Sequence, residues 1–343
     1  MPSPRPVMYP GGPTRRAKPA GLGAGAPLST ISGPSQAFAL VAEDMIACEH
    51  ALRELLHSDV QAVEAVSSYL AAAGGKRLRP ALTALGAKAV GYEGPIARLM
   101  CVGELIHLGS LLHDDVVDDA SRRRGQAAAH VVYGNAVTVL TGDFCLARAV
   151  LLASEEGGHR AVTALGQAVT AMAEGEVLQL QRAGDLSCSL EQYTEVIQKK
   201  SAALIAWCAA AAAYRAGDDD VAGALETYGQ GAGIAFQITD DVLDYREGTG
   251  KRPGADLRER KVTLPLLLAM DRIDGLREEL EAGPPADLPS LIARIEGSGA
   301  LEDSLEIARG HLGAALRALA ALPDNPGRDA LRALGHYLVE RAQ

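Results

Sequence analysis

The chain has 343 residues, of which 48% are hydrophobic and only 4% are aromatic. This length and composition allow one large hydrophobic core, and the abundance of alanine and leucine favours helices over strands. The 33 basic and 43 acidic residues give a net charge of −10. Because no basic stripe runs along the chain, we expect no nucleic-acid partner.

The first 35 residues differ in composition from the rest of the chain. They are dense in proline, glycine, serine and alanine and carry no periodic apolar pattern, so residues 1–35 are predicted to form a disordered tail. No hydrophobic segment follows Arg15 and Arg16, so a secretion signal is not expected. Residues 36–343 are predicted to form one domain.

Helical periodicity is nearly continuous after the tail, and glycine, proline or charged turns interrupt it. We therefore predict an all-α protein, a single large bundle of long helices around a central cavity. No transmembrane segment is expected, because the longest apolar run, Ala202 to Tyr214, is shorter than the roughly 18 residues of a membrane span. The predicted helices cover residues 36–57, 59–73, 80–90, 95–120, 130–154, 159–183, 190–215, 219–247, 262–273, 287–297, 302–322 and 327–341.

The chain has five cysteines, which form no CxxC motif and lie mostly in apolar helical segments. They are Cys48, Cys101, Cys145, Cys188 and Cys208. This pattern is typical of reduced core thiols, and it predicts a cytoplasmic protein.

Two aspartate-rich clusters lie within apolar, helix-forming stretches. They are Asp114-Asp115-Val-Val-Asp118-Asp119 and Asp240-Asp241-Val-Leu-Asp244. Aspartates four residues apart share one face of a helix, where like charges destabilise it by about 0.2–0.5 kcal/mol per pair. A bound cation would remove that repulsion, and carboxylates suit Mg²⁺, which completes its shell with water and substrate phosphates. The clusters therefore predict two facing sets of carboxylates that bind a diphosphate through magnesium.

The alternative is that each cluster is a solvated helix face. The apolar flanks argue against it, since surface faces are not usually enclosed by core residues.

Three basic segments accompany the aspartate clusters. A glycine-containing turn carries Lys76 and Arg79, whose charges and hydrogen-bond donors suit a phosphate. Three arginines at 122–124 follow the first cluster and could simply neutralise it. A loop at 250–265, after the second cluster, carries Lys251 and Lys261.

Together these motifs resemble those of the trans-isoprenyl diphosphate synthases, or polyprenyl synthetases, and in particular the long-chain members. The resemblance is clear from about Asp44 to Pro265. The motifs are, in order, GGKRLRP, ELIHLGSLLHDDVVDD, RRG, QKKSA and FQITDDVLD, the last followed by GKRPGADLRERKVTLP. The resemblance implies the isoprenoid synthase fold, Mg²⁺ as cofactor, a homodimer, and head-to-tail addition of isopentenyl diphosphate to an allylic diphosphate.

The resemblance also implies a role for individual residues. The metal ligands would be Asp114, Asp118 and Asp240, supported by Asp115, Asp241 and Asp244. The allylic diphosphate would also contact Arg123, Lys200, Lys251 and Lys261. Isopentenyl diphosphate would bind Lys76, Arg79, His107 and Arg124. Gln237 and Ser201 would turn their oxygens towards the developing allylic cation.

The chain departs from the family pattern at two places. Ser201 stands where threonine is usual, which keeps the hydroxyl, and Gln126-Ala127 replaces the usual Lys-Pro. Glu174, Glu176 and Asp143 are interpreted as hydrogen-bonding partners inside the bundle rather than catalytic groups.

Product length is predicted from the helix that carries the first aspartate cluster. Gly109 lies about 7.5 Å along that helix from Asp114, at roughly 1.5 Å per residue. Short-chain members have an aromatic floor here or at the next residue, whereas this chain has Gly109 and Ser110, with Ile106 and Val102 one and two turns deeper. The absence of a ring predicts a long product, and the family resemblance implies a length of about C30–C40; a farnesyl or geranylgeranyl diphosphate synthase is the alternative.

Two further alternatives have distinct signatures. A class I terpene cyclase would have a second metal motif that mixes Asn, Ser or Thr with Glu, and it would not need Lys76 or Arg79. A non-catalytic subunit of a heteromeric synthase would have lost some of these motifs.

Overall fold

The computed structural model describes residues 31, 33–72, 74–123, 125–246, 253–283 and 287–342, so most of the predicted tail lies outside the described residues. Within them the chain is almost wholly helical, which confirms the all-α prediction. Two antiparallel strands of two residues, β1 (Arg122–Arg123) and β2 (Gln126–Ala127), form a small hairpin. The helices are α1 (Pro34–Leu40), α2 (Ala42–Leu55), α3 (Gln61–Ala72), α4 (Leu78–Ala89), α5 (Ala97–Val117), α6 (Ala129–Tyr133), α7 (Asn135–Leu152), α8 (Gly158–Gln181), α9 (Leu190–Ile197), α10 (Ala203–Ala216), α11 (Asp219–Leu243), α12 (Ala255–Arg258), α13 (Leu264–Met270), α14 (Leu276–Glu281), α15 (Leu288–Gly297), α16 (Ala300–Ala318) and α17 (Pro326–Glu340).

Helix α10 is the centre of the bundle. Every residue from Leu204 to Tyr214 is buried, and the helix contacts α4, α5, α8 and α11. Small residues permit this close packing: a Cβ at Gly86 of α4 would lie 2.3 Å from the carbonyl oxygen of Ala209. Helix α4, which follows the basic turn, and α11, which ends in the second aspartate cluster, are thereby fixed against one helix.

The two helices that carry the aspartate clusters are long and largely buried. Helix α5 packs against α2, α4 and α7, and α11 packs against α10, α16 and α17. The start of α11 is defined by Asp218, whose side chain accepts a hydrogen bond from Val221 N at 3.1 Å. Side-chain acceptors of this kind satisfy the unpaired N–H groups of the first helical turn. The two clusters lie at the C-terminal ends of these helices, each of which is packed against at least three others.

Two π-helical turns interrupt the long helices. One, Gln198–Ala202, joins α9 to α10, and the other, Ala153–Gly157, joins α7 to α8. The predicted break at Gly157–Gly158 is confirmed, because Gly158 has a non-helical backbone, with φ 80° and ψ −176°, where α8 begins. The predicted helix 130–154 is also divided, at Gly134, where φ is 81°. Short π-helical segments are frequent at functional sites.

The stretch Asn135–Gln181, which spans α7 and α8, is long and apolar enough to cross a membrane by length and composition alone. Its most apolar window has a mean hydropathy of 1.7, and 39% of that window is buried within the protein. A helix of a soluble bundle can pass the same test, so the expectation of no transmembrane segment stays a prediction. All five cysteines are buried and free, as expected for core thiols.

Candidate active site

The first aspartate cluster surrounds the C-terminal end of α5. Asp114 is partly buried, and Asp115 is fully buried and accepts a hydrogen bond from Arg123 Nε. Asp118 is the C-cap residue, and its backbone N–H donates to Asp114 O at 2.8 Å. Asp119 has a left-handed φ of 48°, so the expectation that it stacks over Asp115 is wrong: the helix has already ended. Asp114 and Asp118 therefore remain as the pair of carboxylates one helical turn apart at the end of α5.

The second cluster lies at the end of α11, where other elements hold its outer aspartates. Asp240 Oδ1 is 2.8 Å from Arg341 Nη2. The Arg341 guanidinium also lies 4.2 Å from the ring centroid of Phe236 and donates to its carbonyl oxygen. Asp244 is the C-cap residue of α11, and its Oδ2 accepts from Asp256 N at 2.9 Å. The end of α11 is thus bound both to α17 and to the loop that follows.

Asp241 is buried within a chain of hydrogen bonds. Tyr193 OH donates to its Oδ2 at 2.7 Å, and Gln237 Nε2 donates to its Oδ1 at 2.8 Å. Ser201 Oγ donates in turn to Gln237 Oε1 at 2.7 Å. Burial and the nearby negative charge of Asp256 raise the pKa of Asp241, while the two hydrogen bonds oppose the shift. These hydrogen bonds orient the Gln237 amide so that its oxygen points towards Ser201.

The π-helical turn positions Lys200 beside α8. A Cβ at Gly175 would lie 2.5 Å from Lys200 N, so only a residue without a side chain permits this contact. Lys200 Nζ is 2.5 Å from Glu176 Oε2, and Lys199 Nζ is 2.7 Å from Glu174 Oε2. The two glutamates are therefore ion-pair partners, which agrees with the role that the sequence suggested.

A cavity of about 150 Å³ connects these elements. Lys200, Ser201, Gln237, Asp241 and Lys261 are among the residues that line it. Lys261 Nζ also lies 4.0 Å from an Asp118 carboxylate oxygen. The loop after the second cluster thereby meets the first cluster, and residues predicted from separate motifs surround one space.

The surroundings of Asp114 disfavour its charged form. Burial raises its pKa to about 6, and the carboxylates of Glu176 and Asp118 add to the effect, while Lys200 and Arg123 oppose it. A bound cation would reverse this balance, because opposite charge favours the ionised carboxylate.

The basic turn lies beside a second cavity, of about 240 Å³, whose lining includes Lys76, Phe236 and Arg341. Burial lowers the pKa of Arg79, an effect that the carboxylates of Glu104 and Asp240 oppose. Arg79 Nε is buried and has no hydrogen-bond partner among the described residues. A buried donor of this kind is costly unless a ligand satisfies it, so the turn suits an anion.

Two predicted phosphate-binding residues, Arg124 and Lys251, lie outside the described residues. His107 is partly buried on α5, one turn after Glu104.

A polyprenyl synthetase family model matches residues 60–283. The chain belongs to this family. It is 40% identical over 316 residues to the octaprenyl diphosphate synthase of Escherichia coli K12, a match that covers 88% of this chain and 97% of the relative. It is 35% identical to the all-trans-nonaprenyl-diphosphate synthase (geranyl-diphosphate specific) of Rhodobacter capsulatus, with 89% and 97% covered.

A solved structure of the family has the same fold. The polyprenyl synthase of Caulobacter crescentus CB15, complexed with calcium and isoprenyl diphosphate, superposes with a TM-score of 0.85 at 40% identity, covering 92% of this chain and 100% of that one. The likeness extends over nearly all of the described bundle.

The donor set fits a divalent cation that shares its shell with a substrate. No group of three or more His, Cys, Asp or Glu side chains within the described ranges forms a complete metal cage. The partly buried Asp114, the adjacent Asp118 and, at the end of α11, Asp240 offer carboxylate oxygens. Mg²⁺ is usually bound by one or two carboxylates and completed by water and phosphate oxygens, so this incomplete set suits a metal–diphosphate.

The predicted product-length residues occupy a more closely packed place than the sequence suggested. A Cβ at Gly109 would lie 2.9 Å from the carbonyl oxygen of Gly142 on α7 and 3.3 Å from Leu146 Cγ. Val102 and Ile106 are fully buried, exposing 0% and 1%. The interpretation that Gly109 leaves open space for the product is therefore wrong. The absence of a side chain at Gly109 instead lets α5 and α7 pack closely together. Of the four positions, Ser110 alone is partly exposed.

Three residues in or beside the site carry no signal in the sequence that marks their role. Arg341 lies at the end of α17, about 100 residues from Asp240, and no local motif marks it. Tyr193 looks like any amphipathic helix residue until its hydroxyl is found on Asp241. Arg77 lies in the basic turn between Lys76 and Arg79, but its guanidinium pairs with Glu49 and Glu104.

Proposed function

We propose that the protein is a Mg²⁺-dependent trans-prenyltransferase that adds isopentenyl diphosphate head-to-tail to an allylic diphosphate. The observation that carries the proposal is the convergence of Lys200, Ser201, Gln237 and Lys261 on one cavity, with Lys261 within 4.0 Å of Asp118. Bound Mg²⁺ would supply charge stabilisation for the departing pyrophosphate.

The protein's own side chains supply the remaining steps. Lys200 and Lys261 attract the allylic diphosphate and stabilise negative charge as it develops on the leaving oxygen. The Gln237 carbonyl oxygen and the Ser201 hydroxyl oxygen present negative partial charge to the carbon that becomes cationic. Tyr193, Val196 and Ile197 line the cavity, and their apolar surfaces limit the water that would otherwise trap the cation.

Isopentenyl diphosphate is proposed to bind at the basic turn. Lys76 lines the second cavity, and the unsatisfied, buried Nε of Arg79 suits its diphosphate. Burial lowers the pKa of Arg79 and the Asp240 carboxylate opposes that shift, and Lys76 lines a cavity with Arg341, which pairs with Asp240. The two substrates would therefore meet at the end of α11. A terpene cyclase, which uses one substrate, would have no use for this second anion site.

A long-chain product, about C30–C40, is proposed on the evidence of relatives. The Escherichia coli and Rhodobacter relatives are named for octaprenyl and nonaprenyl products. The small, partly exposed side chain of Ser110, one helical turn before Asp114, supports the same conclusion. An elongating tail that passed Gly109 would require α5 and α7 to separate, because Gly109 lies directly against Gly142 and Leu146 of α7.

Pyrophosphate release tests the reaction class. Purified protein with Mg²⁺ should release pyrophosphate only when farnesyl diphosphate and isopentenyl diphosphate are both present. Release from farnesyl diphosphate alone would indicate a cyclase, and no release under either condition would indicate a non-catalytic subunit.

We also propose a cytoplasmic homodimer, in which a second copy covers an apolar face on α6, α7 and α8. Exposed hydrophobic residues of this face are Val131, Val132, Leu140, Val150, Leu151, Val177 and Leu180. Covering such a face with a second subunit would remove it from water. Light scattering should give twice the 35.7 kDa chain mass, and a value near the monomer would contradict the dimer.

A further inference from the structure

Arg77, in the turn between α3 and α4, forms a three-residue ion cluster with two glutamates. Arg77 Nε lies 2.5 Å from Glu49 Oε1, and its Nη1 lies 2.5 Å from Glu104 Oε1. The exposed fractions of the side chains are 13% for Arg77, 4% for Glu104 and 34% for Glu49. The cluster joins the turn to α2 through Glu49 and to α5 through Glu104.

The backbone of Arg77 adopts a conformation that arginine rarely takes. Its φ is 47° and its ψ 36°, in the left-handed region, at the N-cap of α4. A side chain disfavours this region, and such a residue persists where its surroundings hold it. The two glutamates are the contacts that do so. Burial alone would lower the pKa of Arg77, yet the carboxylates of Glu104 and Glu49 raise it overall, so the guanidinium stays charged.

The conformation of Arg77 determines where its neighbours point. Lys76 precedes it and lines the second cavity, and Arg79 follows two residues later, against α5 and α10. A change of φ at one residue rotates everything that precedes it relative to α4, so releasing Arg77 would displace Lys76 from the cavity.

We infer that Arg77 is a positioning residue for isopentenyl diphosphate: anchored by Glu104 and Glu49, it fixes the turn that presents Lys76 to the diphosphate alongside Arg79. The inference rests on the proposed function, in which these two residues bind that substrate. Arg77 itself need not touch the substrate, because both glutamates engage its guanidinium.

The test is a set of steady-state measurements with each substrate varied in turn. Arg77→Gly removes the anchor but tolerates the left-handed backbone, so the chain can still fold. Its KM for isopentenyl diphosphate should rise about tenfold or more, within the roughly 10²-fold that a 1 Å displacement of a positioning group can cost. The KM for farnesyl diphosphate should stay within about twofold.

Two further variants keep the test decisive. Arg77→Lys retains the charge but cannot contact both glutamates in the same fork geometry, so its KM for isopentenyl diphosphate should lie between those of Arg77→Gly and the wild type. Glu49→Gln weakens one contact and leaves Glu104 in place, so it should show a smaller rise of the same KM. If Arg77→Gly does not fold, these two variants decide the matter.

The matched control is Lys88→Ala. Lys88 Nζ lies 3.0 Å from Asp44 Oδ2, an ion pair that joins the same two helices, α2 and α4, at the far end of α4 from the turn. Both KM values of Lys88→Ala should equal those of the wild type. Unchanged KM values in the Arg77 variants, or an equal rise for both substrates, would overturn the inference. A wild-type enzyme that does not consume the two substrates together would instead refute the proposed function.

Discussion

The two aspartate clusters have nearly the same sequence but different surroundings. In the first, Asp115 is buried against Arg123 of the β-hairpin, while Asp114 stays partly buried and has a raised pKa of about 6. In the second, Asp241 is buried against Tyr193 and Gln237. The second aspartate of each cluster is thus hydrogen-bonded to a neighbouring element, while the first is the more exposed of the two.

The first aspartates differ in one important respect. Asp240 has an ion-pair partner, Arg341, whereas Asp114 is surrounded by carboxylates as well as by Lys200. Four residues before each, α5 carries Ser110 and α11 carries Phe236, whose ring lies under Arg341. The comparison teaches that α17 holds α11 at its metal end through Arg341, whereas Asp114 at the end of α5 has, among the described residues, no such guanidinium on a terminal helix.

The largest expected effect is on turnover. Asp114→Asn and Asp240→Asn should each lower kcat by about 10²-fold or more, because each removes a preorganised charge from the metal–diphosphate site. Asp119→Asn is the control, since its side chain is 98% exposed and should leave kcat unchanged. Circular dichroism would show that the helical fold is retained. A first-aspartate variant with more than about a tenth of the wild-type rate would contradict the ligand assignment.

The next effect is on product length. Ser110→Phe should shorten the product by several isoprene units, since a ring there would meet a growing tail close to Asp114. Ser110→Ala should leave the length unchanged. Gly109→Ala should mainly lower stability, by about 1–3 kcal/mol for an overpacked contact, because its Cβ would meet Gly142 O at 2.9 Å. Chromatography of dephosphorylated products measures the length, and an unaltered length in Ser110→Phe would refute this role.

The smallest effect is on stability, measured by thermal unfolding without metal. Substitution of Asp114 and of Asp240 by asparagine should change the free energy of unfolding in opposite directions. The folded pKa of Asp114, about 6, exceeds the ordinary 3.8, so the folded state binds the proton more tightly between these values. Stability therefore falls as pH rises from about 3.8 to about 6, and the penalty is complete above that. Asp114→Asn should stabilise the protein at pH 7.5 by on the order of 1 kcal/mol, and by less as the pH falls towards 4.

Asp240→Asn should do the opposite. It leaves Arg341, whose side chain is 7% exposed, without its counter-charge, at a cost of about 1–3 kcal/mol. Equal shifts in the two variants would show that the two clusters do not differ in the way described.

The sequence predicted the fold and most of the site because both depend on local patterns. Helical periodicity identified α5, α10 and α11, and motif order placed Lys200, Gln237 and Lys261 in one site. Contacts between segments that are distant along the chain could not be predicted from the sequence. Arg341 meets Asp240 only through packing of α17, and Gly109 could be assigned to the α5–α7 contact only once Gly142 was located. The π-helical turn at 198–202 has no periodicity that separates it from the α-helices on either side.

The most direct test of the account is the product of the wild-type enzyme given farnesyl diphosphate, excess isopentenyl diphosphate and Mg²⁺. Chromatography after dephosphorylation should show all-trans polyprenols of about C30–C40, the range supported by the relatives. Release of mostly geranylgeraniol, of cyclised hydrocarbons, or of unreacted farnesol would contradict it.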